Sequence, residues 1–183
     1  MRKGPWTVLE STVRFRNSFM TVVDDRVLQP DGQPGSYATV QMNPGVCVLP
    51  IDADGNVHLT RQFRYGIARD SIEVVAGGVE DGEEPLTAAR RELSEELGIA
   101  AQSWQRLAQL DLDTSMLIAP AEIFLCRDLS FHRQHSDPSE TIAGVTMPLA
   151  EALAKVVAGE ITHVLTVVLL LCAERARTQA WQE

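Results

Sequence analysis

Residues Gly77–Ile99, "GGVEDGEEPLTAARRELSEELGI", decide how this chain is read. Two glycines open the stretch and a third, Gly82, keeps its first part a loop. Pro85 suits the first turn of a helix, and Gly98 suits the position just past its end. Between them Leu86, Ala89, Leu93 and Leu97 recur at intervals of three and four, which is the spacing of one buried helical stripe. Beside that stripe stand Glu92, Glu95 and Glu96. Like charges three or four positions apart on a helix destabilise it by a few tenths of a kcal/mol when exposed. Partly buried, at an effective dielectric near 20, one such pair would repel by roughly 3 kcal/mol. No basic partner is expected on the same strip, so a hard divalent cation is the expected counter-charge. A solvated acidic face is the plainer alternative, and it accounts for most charge runs.

Upstream, "GVCVLPI" from Gly45 is a continuous apolar run suited to a buried strand. "DADGN" is a turn, "VHLTRQFRY" alternates like a strand with one wet face, and "SIEVVAGG" is read as one further strand. Before these, residues 6–40 alternate apolar and polar positions between Pro30-Asp31-Gly32 and Pro34-Gly35, which predicts an antiparallel meander. Three strands make a poor core alone, so this piece is expected to pack on another surface, such as that of a second subunit. Downstream, "WQRLAQLDLD", "AEIFLCRDL" and "TIAGVTMPL" predict strands around the polar loop "SFHRQHSDPSE". A short helix from Ala150 to Val157 and a last helix from about Ile161 to Arg177 follow. Strands with helices on both sides predict a layered α/β fold.

The chain has 183 residues and a formal net charge of -9. Acidity of this order argues against non-specific nucleic-acid binding, which needs dense Lys and Arg, and it obliges any phosphate ligand to find a local cation. Cys47, Cys126 and Cys172 are far apart and form no C-x-x-C pair, so neither a disulfide framework nor a zinc site is predicted, and a reducing cytoplasm fits best. The start "MRKGPWTVLE" has no apolar run behind it and does not read as a signal peptide. "VLTVVLLLCA" is half the roughly 20 apolar residues that a membrane span needs, so no membrane is expected and the run is read as a buried helix face.

Gly77, Glu83 and the run Arg91-Glu92-Leu93-Ser94-Glu95-Glu96-Leu97-Gly98-Ile99 match G-x5-E-x7-R-E-U-x-E-E-x-G-U throughout, where U is a bulky aliphatic residue. From background composition, a chance match is on the order of one in ten million. In this box the sequence resembles the Nudix hydrolase family. The resemblance implies a Nudix-type α/β/α sandwich with a mixed sheet, in which Mg2+, or Mn2+ in its place, drives hydrolysis of a nucleoside diphosphate linked to another group. It also implies Glu92 and Glu96 as principal metal ligands, Glu95 as a further ligand or helper, and Arg91 and Glu83 as residues that orient the cluster.

"RQFRYGIARDSIEVVAGGVEDGEEP" is similar to the ADP-ribose pyrophosphatase branch, as is the N-terminal meander, which commonly exchanges across a homodimer there. By that resemblance Arg64 would contact the substrate's diphosphate or its far side, and Glu73 would be a site carboxylate. Gly77 and Gly78 would approach the substrate, and the Ala76 carbonyl would be a metal ligand. The expected division is residues 1–42 as meander and 43–183 as Nudix domain. The expected substrate is ADP-ribose or a related nucleoside diphosphate sugar, split to a nucleoside monophosphate and a sugar phosphate. GDP-mannose, another such sugar or a dinucleotide is the alternative within the class, and a non-catalytic sensing module is the alternative outside it. In "DTSMLIAPAE", Thr114 stands where the branch has proline before its marker glutamate. Glu122 and Glu140 are the candidate bases, with Glu140 preferred because it adjoins a loop. His132 and His135 are spaced for a metal but lack a completing cluster. Trp6, Tyr37, Phe63 and Tyr65 are candidates for adenine stacking and equally for packing. Arg61, three residues from Arg64, faces the other side of an extended strand.

Overall fold

The computed structural model describes residues 1–133 and 141–178. In chain order the described strands begin with β1 (Arg2–Lys3), β2 (Trp6–Arg16), β3 (Met20–Leu28), β4 (Pro34–Met42), β5 (Gly45–Pro50) and β6 (Asn56–Arg64). They continue with β7 (Arg69–Glu73), β8 (Val75–Gly78), β9 (Ile99–Asp111), β10 (Leu117–Ile118), β11 (Pro120–Phe131) and β12 (Ala143–Pro148). The helices are α1 (Pro85–Leu97), α2 (Leu149–Val157) and α3 (Val164–Thr178). The chain divides into two units, Met1–Pro44 with Asp111–Pro120, and Gly45–Leu110 with Ala121–Glu183.

The first unit is one sheet in the order β1-β2-β3-β4-β10. The expected meander forms β2, β3 and β4, with antiparallel pairing throughout. Its β3–β4 turn uses Gly32 at φ +82, a left-handed conformation that L side chains resist. The sequence reading had no counterpart for β10, which adds to β4 in parallel. Inside this unit the buried Asp25 carboxylate accepts hydrogen bonds from Ser11 Oγ at 2.5 Å and Lys3 Nζ at 2.9 Å. Those bonds, the Ser11 one foremost, hold its carboxyl below the usual range. They also settle the burial of a charge that would otherwise be costly.

In the second unit, β8-β5-β11-β9 form one sheet and β12-β6-β7 another. β5 and β11 run parallel, with Val46 beside Glu122 and Cys47 beside Ile123. Side chains alternate across a strand. Val46 and Val48 therefore pack with Ala88, Ala89 and Leu93 of α1, while Cys47 and Leu49 pack with Leu165, Leu169 and Leu170 of α3. The sheet is thus covered on both faces, giving the α/β/α sandwich. Burying Leu93 completely stabilises the helix against the sheet by roughly 2–3 kcal/mol. Helix α1 starts with Pro85 and ends on Gly98 at φ +62, whose N–H bonds the Leu93 and Ser94 carbonyls. Of the run "VLTVVLLLCA", Leu165, Leu169, Leu170 and Ala173 are buried, as a terminal-helix face.

One expected element is wrong. "SIEVVAGG" is two strands, because β7 pairs with β6 in one sheet and β8 pairs with β5 in the other. Val74 lies at the crossing, and its N–H is satisfied by Thr166 Oγ1 of α3 at 2.9 Å. A side-chain acceptor 92 residues away replaces the ladder bond, and an apolar run gives no sign of that.

Candidate active site

Helix α1 turns its polar edge to the end of β8. Arg91 sits at the centre of that edge. Its Nε and Nη2 donate to Glu83 Oε1 and Oε2 at 3.1 and 3.0 Å, a two-bonded fork. Nη1 donates to Glu92 Oε1 at 2.8 Å and to Glu95 Oε2 at 3.3 Å, and Nη2 also reaches the Gly78 carbonyl at 3.0 Å. Glu83 Oε2 accepts the Glu80 N–H at 3.0 Å as well, which closes the loop that precedes the helix. The Arg91 bond, followed by the Glu80 amide, holds the Glu83 carboxyl below the usual carboxylate range. The same bond, outweighing the opposing effect of burial, pushes the Arg91 guanidinium up.

This geometry corrects the expectation that the acidic strip has no basic partner. Arg91 neutralises part of it, reaching Glu92 as its sequence neighbour and Glu95 one helical turn on. Among the described residues, no three acidic, His or Cys side chains are drawn together around one point as a metal cage. The donor set nevertheless fits a hard cation. Glu92, Glu95 and Glu96 supply carboxylate oxygens from consecutive turns, and one oxygen of Glu96, Oε2, is shut off from solvent.

Gly77 supplies the second part of that fit. A Cβ built there would lie 1.9 Å from Glu92 Cδ and 2.0 Å from its Oε1, so the Glu92 carboxylate occupies the space that a side chain would fill. The backbone at Gly77 is not left-handed, so the close approach alone requires glycine. Gly77→Ala is therefore expected to displace Glu92 rather than strain the strand. Turnover should fall by about 100-fold or more, while the melting temperature of metal-free protein moves by less than about 2 °C. Steady-state assays beside calorimetry check both, and an active variant would show that the Glu92 position is dispensable.

The β6–β7 hairpin carries a second polar group. Arg64 Nε and Nη2 donate to Glu73 Oε1 and Oε2 at 3.1 and 2.7 Å, where Glu73 is buried and Arg64 half-exposed. Burial raises the Glu73 carboxyl, but the Arg64 bond, the His163 charge, a Ser71 bond and the Arg64 charge outweigh it and leave the group below its usual range. On the α3 face of the sheet lies the Cys47 thiol, its residue opposite Ala76 of β8. Burial first, then the charges of Glu73 and Glu96, push it up to about 12 against the opposing Arg64. It is a neutral floor within electrostatic reach of both acidic groups.

The structure thus brings Glu83, Arg91, Glu92, Glu95, Gly77 and Gly78 together, and it pairs Arg64 with Glu73. Ala76 lies between Val75 and Gly77 in β8. Glu122, the second candidate base, is tied to Arg106 at 2.6 Å. Glu140 and His135 lie outside the described residues. His132 ends near α1, its N–H on the Gly98 carbonyl at 2.8 Å and its Nε2 at 3.5 Å from Ser94 Oγ. Arg61 pairs in register with Ala143 and Ile72 and forms no part of this group. Trp6 and Tyr37 meet edge to face at 5.4 Å in the first unit, on the wall of a cavity of about 330 Å3. Phe63 and Tyr65 are exposed. His163 and Thr166, three apart at a helix start and unremarked in the sequence, adjoin each other and the Glu73–Val74 step.

The NUDIX domain family matches residues 42–165, well over half of the chain, so the protein belongs to the Nudix family and is a hydrolase. Residues 6–40 match the nucleoside diphosphate sugar hydrolase N-terminal domain. The chain is similar to the ADP-ribose pyrophosphatase of Mycobacterium tuberculosis, with 28% identity over 182 residues, 97% of this chain and 87% of that protein. It is likewise 28% identical to the ADP-ribose pyrophosphatase of Bacillus subtilis over 158 residues, 83% of this chain and 85% of that one. A crystal structure of ADP compounds hydrolase shares the fold with a TM-score of 0.86 at 24% identity, covering 98% of each chain. No described helix is long and apolar enough to cross a membrane.

Proposed function

We propose that this protein hydrolyses the diphosphate bond of ADP-ribose or a related nucleoside diphosphate sugar, with Mg2+ or Mn2+, to a nucleoside monophosphate and a sugar phosphate. The observation that carries this reading is the acidic turn of α1 set against Gly77 and braced by Arg91 and Glu83. The names of the two similar pyrophosphatases and the N-terminal match support the substrate class. Glu92 and Glu96, with Glu95 and the Ala76 carbonyl, would hold the ion. Bound there, it supplies Lewis-acid polarisation of phosphoryl oxygens. Arg91, itself held by Glu83, aims the Glu92 and Glu95 carboxylates. Arg64, half-exposed and oriented by Glu73, offers a fixed cation to the diphosphate. A net charge of -9 favours a small phosphate ester over a nucleic acid as substrate, and three free cysteines suit the cytoplasm.

The test is a Mg2+-dependent hydrolysis panel of ADP-ribose, GDP-mannose, UDP-sugars, dinucleoside polyphosphates, NADH and nucleoside triphosphates. ADP-ribose or another nucleoside diphosphate sugar should give the highest kcat/KM, and no turnover on any of them would overturn the reading.

We also propose that the N-terminal meander, placed at residues 1–42, joins two copies in a homodimer. Leu9 and Val13 of β2, with Phe15 and Phe19, are each at least half exposed, a large apolar display for a monomer. Val13→Glu with Phe15→Glu should convert the sedimentation coefficient from dimer to monomer, and an unchanged dimer would place the interface elsewhere.

A further inference from the structure

The first turn of α3 grips the chain where it crosses between the two sheets of the second unit. Thr166, fully buried, accepts the Val74 N–H through Oγ1 at 2.9 Å. The same Oγ1 lies 2.9 Å from His163 Nδ1, and that nitrogen is 3.7 Å from Glu73 Oε2, the oxygen that takes Arg64 Nη2 at 2.7 Å. The His163 carbonyl in turn accepts the first helical bond, from Val167 N–H at 3.0 Å. Val74 is therefore held by Thr166 and its neighbour Glu73 is flanked by His163, and β8 with Ala76 and Gly77 begins at the next position.

Thr166 Oγ1 takes the Val74 N–H and shares a second hydrogen bond with His163 Nδ1, in which the ring tautomer sets which of the two donates. Burial holds the ring below its ordinary value, with Arg64 adding to that and Glu73 opposing it, so the imidazole is neutral at neutral pH. A neutral ring leaves the Glu73 carboxylate to Arg64 and stands beside it, with Nδ1 at 3.7 Å from Oε2.

We infer that His163 is a positioning residue for Arg64: together with Thr166 it fixes the Glu73–Val74 step from the start of α3, and so sets where Arg64 presents its guanidinium. This rests on the reading above that Arg64 meets the substrate's diphosphate. His163→Ala removes both the hydrogen-bond partner of the Thr166 hydroxyl and the ring beside Glu73. His163→Asn restores a partner for Thr166, since its amide reaches close to the position of His Nδ1 and can accept or donate.

The test measures kcat and KM for Mg2+-dependent ADP-ribose hydrolysis in wild type, His163→Ala, His163→Asn, Arg64→Ala and the Arg64→Ala/His163→Ala double variant. His163→Ala should raise KM about tenfold with kcat within about twofold, and His163→Asn should recover most of the loss. Adding His163→Ala to Arg64→Ala should change KM no further, because residues acting through one another are not additive. A lowered melting temperature with unchanged KM, or full additivity in the double variant, would overturn the inference. If wild type hydrolyses none of the panel, the functional reading fails and the positioning inference is judged by NMR. The Arg64 Nε–H should then exchange with water at least about tenfold faster in His163→Ala than in wild type or His163→Asn. Equal exchange in all three would overturn it.

Discussion

Glu96→Gln is expected to reduce kcat/KM by about 1,000-fold, which corresponds to roughly 4 kcal/mol of transition-state stabilisation. The amide keeps the shape of the carboxylate and loses its charge, so what is removed is attraction for a divalent ion. The fold should not suffer. Glu92, Glu95 and Glu96 crowd one helical edge, and deleting one negative charge relieves repulsion worth a few tenths of a kcal/mol per exposed pair. Metal-free Glu96→Gln should therefore melt at the same temperature as wild type or slightly above it. Adding Mg2+ should raise the wild-type melting temperature and leave the variant nearly unmoved. Calorimetry with and without Mg2+ measures this directly. A variant that unfolds in metal-free buffer would mean that the carboxylate is part of the scaffold.

Arg91→Ala should fail in the opposite manner, losing stability and activity together. The guanidinium holds Glu83, Glu92, Glu95 and the Gly78 carbonyl at once, and its side chain is only 28% exposed. Breaking a buried ion pair from one side costs about 3–5 kcal/mol; discounted for partial exposure, about 2 kcal/mol is expected here, seen as a fall of roughly 4–8 °C in melting temperature. Activity should fall by about 100-fold, because the carboxylates lose their common anchor. The pH dependence separates this from a packing defect. The folded Glu83 carboxyl lies below its unfolded value of 4.5, so its stabilisation is complete above that pH and lost as pH falls through the folded value. The gap in stability between wild type and Arg91→Ala should accordingly narrow below about pH 4.5. Denaturant titrations at pH 7 and pH 3.5 test it, and a constant gap would exclude the ion pair as its source.

Helix α1 is fully legible in the sequence because every level agrees there: Pro85 and Gly98 bound it, the leucine stripe faces the core, and the acidic edge is left over. The Arg91 connections are less legible. A linear reading treats Arg91 as one position off the acidic strip, yet a long guanidinium stem reaches back to its own neighbour Glu92 and across to Glu83. The β7–β8 break is illegible for a different reason. The two strands meet in the unbroken apolar step Val74-Val75, and what marks their separation is a hydroxyl from α3. Likewise nothing near Leu117 announces β10, a two-residue strand whose existence depends on β4 being beside it.

The crossing at Val74 also limits how the chain can change length. Glu73 faces Thr60 across one sheet, and two positions later Val75 faces Val48 across the other. Because strand side chains alternate, one residue inserted or deleted between them would turn over one strand relative to the other. Either Glu73 would leave Arg64, or Gly77 would present the wrong face to Glu92. A surface loop that carries no site residue can lengthen at small cost, whereas Glu73 to Gly77 acts as a ruler. A substitution here disturbs one contact at a time; a change in spacing would uncouple Arg64 from the acidic helix at a stroke.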